Sequence, residues 1–118
     1  MSEKLVINIE RLQLLFDGDL SLLQQILDIV QTDFPQLCTK LGQAIETENV
    51  ELIHRHAHTL KGSLANVGGD IASIIAAEID AAATKNNLNR CAKEFSGLRP
   101  AIDKFLIQLK LAAEGELT

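Results

Sequence analysis

The sequence predicts an all-α protein, an antiparallel four-helix bundle with a short additional helix at its N-terminus. Three observations carry that prediction. Apolar residues recur at steps of three and four over long stretches, the spacing that gathers them on one face of a helix. No segment shows the sustained period-two alternation between turn dipeptides that marks a strand. Aromatic residues make up only 3% of the chain, all of them Phe, while Leu and Ala are abundant, which favours helices packed by aliphatic side chains over a sheet. With 118 residues, 47% hydrophobic and 23% charged, the composition is globular, and one domain covering residues 1–118 is expected.

Taken in order, Asn8 is a candidate N-cap before Ile9, Leu12, Leu15 and Phe16, which predicts a short helix over 9–16. The FDGD string at 16–19 breaks it. Ser21 followed three residues later by Gln24 has the pattern of a capping box, with Asp19 as a rival cap. The second helix then carries the stripe Leu23, Ile26, Leu27, Val30, Phe34, Leu37, Cys38, Leu41 and Ile45. Pro35 lies inside this stripe, so a kink near 31–35 is expected rather than a stop, because the periodicity continues beyond it. Thr47, Glu48 and Asn49 form a polar connector. Leu52, Ile53, Leu60, Leu64 and Val67 mark a third helix over about 50–67, closed by Gly68 and Gly69, one of them suited to a left-handed cap. Asp70 is the expected cap of a fourth helix through Ile71, Ile74, Ile75, Ile79 and Ala82. The last helix uses Leu88, Cys91, Phe95, Leu98, Ile102, Phe105 and Leu109, with a bend expected at Gly97 and Pro100. Four long amphipathic helices with short connections make a bundle the economical arrangement, the first helix lying as a lid across one end.

Several function classes drop out. A net charge of −5 opposes non-specific binding to nucleic acid. No apolar run reaches the ~18 residues a membrane span needs, and the N-terminus lacks the apolar core of a leader. A cytoplasmic monomer without membrane contact is therefore expected. Cys38 and Cys91 are far apart and form neither a CxxC pair nor a zinc knuckle, which suits buried thiols in a reducing compartment. The start at Met1 and the polar EGELT tail favour a free-standing protein over an excised domain.

What remains is a chemical cluster on the third helix. At about 100° per residue with His58 at zero, Leu52, Ile53, Leu60, Leu64 and Val67 fall between about 120° and 240°. His58 therefore points away from the core. Its neighbours on the outer face are Glu51, His54 and Arg55 before it, and Lys61, Gly62 and Ala65 after it. Arg55 and Lys61 flank the imidazole with positive charge suited to an anion. Gly62 leaves the space above the ring uncovered, although glycine in an exposed helix costs roughly 1 kcal/mol relative to alanine; the compensating benefit is clearance for another molecule. A neutral imidazole, dominant near pH 7 given a reference pKa of about 6.5, is a competent nucleophile toward phosphorus.

The string HTLKGSLANVGG, with lysine three, glycine four, a small residue five and glycine ten positions after the histidine, closely resembles the signature of histidine-containing phosphotransfer (HPt) domains of bacterial two-component phosphorelays. The helical layout is similar over most of the chain, and Glu78 in the IAAEI run at 75–79 looks like the glutamate of the family's following helix. The resemblance implies a phosphohistidine carrier with no nucleotide site or autokinase activity. It implies that His58 accepts a phosphoryl group from the aspartyl phosphate of a receiver domain, in a hybrid sensor histidine kinase, and passes it to a response regulator. By the same resemblance Lys61 stabilises the phosphoryl group, Gly62 gives clearance, and Ser63 is a small packing residue. His54, Arg55, Ser63 and Ala65 would border the docking surface, and magnesium would belong to the partner receiver, leaving this chain without a cofactor. Leu64 stands where the family often has a smaller residue, a departure that touches packing more than chemistry.

Two other readings stand beside this one. A helical module could dock a receiver without exchanging phosphate. A metal-binding bundle could use His54 and His58 at i, i+4, but Glu78 and Asp80 read as single acids out of phase with that pair. His56, near 160° on the wheel, reads as a packed histidine with a hydrogen bond. Asn66 could serve either its own helix end or a partner.

Overall fold

The computed structural model describes residues 5–116. They form five helices, α1 (Ile9–Phe16), α2 (Leu20–Glu46), α3 (Val50–Asn66), α4 (Asp70–Thr84) and α5 (Leu88–Ala113), and no strand among the described residues. Four of the five begin with the same device. The side chains of Asn8, Asp19, Asn49 and Asn87 each accept from the backbone N–H three residues on, at Arg11, Leu22, Leu52 and Arg90, satisfying a donor that the first helical turn leaves free.

Two starts differ from the sequence expectation by one or two residues. Asp19, not Ser21, caps α2; the helix opens at Leu20, so Ser21 already lies inside its first turn. Asp70 is not a cap but the first residue of α4, with Gly69 at the cap position and no side-chain cap bond. The cause is the tight α3–α4 turn. Gly68 adopts φ +85° and the Gly69 N–H donates to Leu64 O at 2.8 Å, so the chain is ready to re-enter a helix early. The Asp70 carboxylate instead accepts from Asn8 Nδ2 at 2.8 Å, at the positive end of α4. Both α2 and α5 run through their prolines, Pro35 and Pro100, as single elements.

The long helices pack in a ring, α2 on α3, α3 on α4, α4 on α5 and α5 back on α2, joined by connections short enough to force antiparallel neighbours. Their stripes meet in one apolar core whose fully buried members include Leu23, Leu41, Ile53, Leu60, Leu64, Ile79, Leu98, Ile102, Phe105 and Leu109. Cys38 and Cys91 are free and buried within it, and burial raises the pKa of both thiols. No described helix is long and apolar enough to cross a membrane.

The N-terminal segment closes one end of the ring. Ile7 and Leu12 are buried there, the Val6 and Ile7 amides donate to Gln108 Oε1 at 2.8 and 3.1 Å, and the Asn8 amide donates to Gly68 O at 2.8 Å. The α3–α4 turn is thus clamped from outside. A Cβ on Gly68 would lie 2.8 Å from Asn8 O as well as in the left-handed region. Gly68→Ala is expected to lower stability by about 1–3 kcal/mol, read as a shifted urea midpoint; an unchanged midpoint would show that the clamp is dispensable.

Candidate functional site

The inward residues of α3, Ile53, Ala57, Leu60 and Leu64, follow steps of four, three and four and are buried. This stripe turns His58 outward, with its side chain 63% exposed. His54, one turn earlier on the same edge, is 55% exposed. The two rings have centroids 5.8 Å apart.

Across the seam, α4 buries mostly short side chains, Ala72, Ser73, Ala76, Ala82 and Ala83, beside Ile79 and Asp80. Short residues let the two helices approach closely. Ser73 Oγ donates to Lys61 O at 2.7 Å. Two turns further along the same edge of α4, Asp80 reaches the histidines. Its side chain is only 12% exposed. Oδ1 is bonded to Nδ1 of His54, while Oδ2 lies 3.5 Å from Nδ1 of His58 and 3.9 Å from Nζ of Lys61. Asp80, expected from the sequence to be out of phase with the histidine pair, is therefore in phase with it, although it remains a single acid. The phase within α4 was legible, since Ser73 and Asp80 are seven residues apart on one edge; the register of α4 against α3 was not.

A carboxylate only accepts hydrogen bonds, so an imidazole nitrogen facing it carries its proton. That orientation, with Nδ1 toward Asp80, leaves Nε2 of His58 as the outward nitrogen. Lys61, with its ammonium near Oδ2, is within reach of a group attached there.

Gly62 lies one turn after His58 on α3, and a Cβ built on it would meet nothing within 4 Å. The fold itself gives no reason for glycine at this position. Arg55 is exposed and pairs loosely with Glu51 at 3.7 Å. Ser63 and Ala65 are half-buried, and Leu64 is fully buried. Glu78 lies apart from the cluster and pairs with Arg90 at 2.8 Å. His56 is half-buried, but no hydrogen bond to its ring is formed among the described residues; burial, with Lys40 and Arg55 adding repulsion, lowers its pKa. Asn66 is exposed and shares a shallow groove with Arg11, Leu14 and Leu15 of α1. Leu14 is 80% exposed, so apolar surface adjoins the histidine face one turn beyond Gly62. Among the described residues no three His, Cys, Asp or Glu side chains are arranged to hold a metal ion.

The family model described as Hpt domain matches residues 9–113 of the chain. Searches of curated proteins and of solved structures each returned no match.

Because the space over Gly62 is open, Gly62→Ala is expected to stabilise the protein by roughly 1 kcal/mol through helix propensity alone. A thermal or urea melt checks this; destabilisation would mean that the glycine serves the fold.

Proposed function

The chain belongs to the Hpt domain family, the phosphocarriers of histidine phosphotransfer in phosphorelays, and on that premise we propose that Nε2 of His58 accepts a phosphoryl group from the aspartyl phosphate of a receiver domain and yields it to the receiver of a response regulator. The observation that carries this reading is the orientation of His58, with Nδ1 toward the Asp80 carboxylate and its ring largely in solvent.

The step follows from that orientation. The Nε2 lone pair attacks phosphorus, the N–P bond forms, and the bond from phosphorus to the receiver's carboxylate oxygen breaks, that oxygen leaving with the electron pair. The ring becomes cationic while Nδ1 keeps its proton. Asp80 faces that proton with a fixed negative charge, a preorganised stabiliser of charge that develops during transfer. Lys61 is positioned to exchange its contact with Oδ2 for one with a phosphoryl oxygen. Passing the group onward is the same step reversed with a different receiver. Magnesium enters with the receiver, as the family resemblance implies, and the chain acts as a carrier without a nucleotide site of its own.

The receiver is proposed to dock on the outer face of α3, over His58, Gly62 and Ala65, with His54 and Arg55 at one margin. The groove lined by Arg11, Leu14, Leu15 and Asn66 extends that surface toward α1. The upstream donor is taken to be the receiver of a hybrid sensor histidine kinase.

Incubation with a labelled phosphoreceiver and magnesium tests this. Label should reach the protein and be absent from His58→Gln. Gly62→Gln should keep the fold yet slow transfer by about 100-fold, the scale of a 1 Å misplacement. Lys61→Ala should slow transfer less than loss of His58 does. Equal labelling of the His58→Gln variant would refute the assignment.

A further inference from the structure

We infer that His54 is a positioning residue for the reaction, acting through Asp80; this rests on the proposed role of His58. The Asp80 carboxylate accepts its one hydrogen bond among the described residues from His54, by Oδ1. Its other oxygen faces Nδ1 of His58 and Nζ of Lys61 at ion-pair distance only. Nothing on α4 holds the carboxyl group, since the contact of Thr84 Oγ1 is with the Asp80 backbone oxygen. The orientation of the group about its last torsion, which is broad and weakly restrained in itself, therefore depends on His54.

That orientation has a chemical consequence. With Oδ1 tied to His54, Oδ2 is the oxygen left for His58, and it selects the Nδ1–H form that keeps the Nε2 lone pair outward. If the carboxylate swings toward the Lys61 ammonium instead, His58 loses the partner that fixes its proton and populates the Nε2–H form, which has no lone pair for attack. His54 can donate from Nδ1 both as neutral imidazole and as imidazolium, so the geometry of its contact with Asp80 suits either form. The i, i+4 spacing of His54 and His58 is what brings two rings to one carboxylate. His54 thus belongs to the support of the phosphoacceptor, as outer hydrogen bonds orient the ligands of a metal site.

The test uses the whole chain without a receiver. Imidazole 15N resonances of His58 are recorded at alkaline pH in wild type, His54→Ala and His54→Asn, the asparagine amide offering a donor close to the position of Nδ1. Phosphorylation by phosphoramidate is timed on the same samples. Wild type should show protonated Nδ1; His54→Ala should shift His58 toward the Nε2–H form and accept phosphate several-fold more slowly; His54→Asn should restore both. Because His54 is largely exposed, all three are expected to fold, checked by circular dichroism. A wild-type His58 tautomer and rate in His54→Ala overturns the inference, as does an asparagine variant that behaves like alanine. Failure of the wild-type protein to take label from any phosphoreceiver would instead strike the proposed function, since the nitrogen resonances report on His54 and Asp80 independently of any donor.

Discussion

A nearly buried carboxylate facing three donors on a neighbouring helix is the interaction around which this protein is organised. Removing an anion such as that of Asp80 from water is costly unless partners replace the lost hydration. Among the described residues every partner within range comes from α3: His54 by hydrogen bond, His58 and Lys61 by charge. The same arrangement that makes the buried anion tolerable also orients the imidazole. On the proposed function, stability and chemistry meet in one contact, and both depend on the register of α4 against α3.

The frame maintains that register. Small residues on α4 allow a close approach, and Ser73 adds a hydrogen bond to the α3 backbone at Lys61. The α3–α4 turn is fixed by Gly68 in a left-handed conformation and by the Asn8 amide bound to Gly68 O, while Asn8 Nδ2 holds the Asp70 carboxylate. On the far side, the Phe95 ring of α5 packs over Gly42 of α2, where an added Cβ would sit 2.8 Å from the ring. Helix ends and turns remote from His58 thereby decide where Asp80 stands.

Much of this was legible in the sequence. The five helices, the outward direction of His58 and the unexplained glycine at position 62 all follow from periodicity within single helices, which a one-dimensional pattern encodes directly. Cap positions were legible only to within a residue or two: Asp19 and Ser21 both suit a cap, and Asp70 was displaced from that role by a turn tighter than the pattern suggested. The role of Asp80 could not be read, because phase within a helix says which edge a residue occupies but not how far one helix slides along another. Glu78 fell on the outer face with Arg90, two residues from the acid that matters. His56 sits at the edge of the core as its phase required, but the hydrogen bond expected for its ring is not formed among the described residues.

The central claim is that Asp80 holds Nδ1 of His58 and leaves Nε2 to receive the phosphoryl group. A 15N–31P correlation spectrum of the uniformly 15N-labelled protein, phosphorylated and assigned residue by residue, addresses it directly. Phosphorus coupled to Nε2 of His58 is the predicted result. Coupling to Nδ1 of His58, or to a nitrogen of His54, would contradict the account.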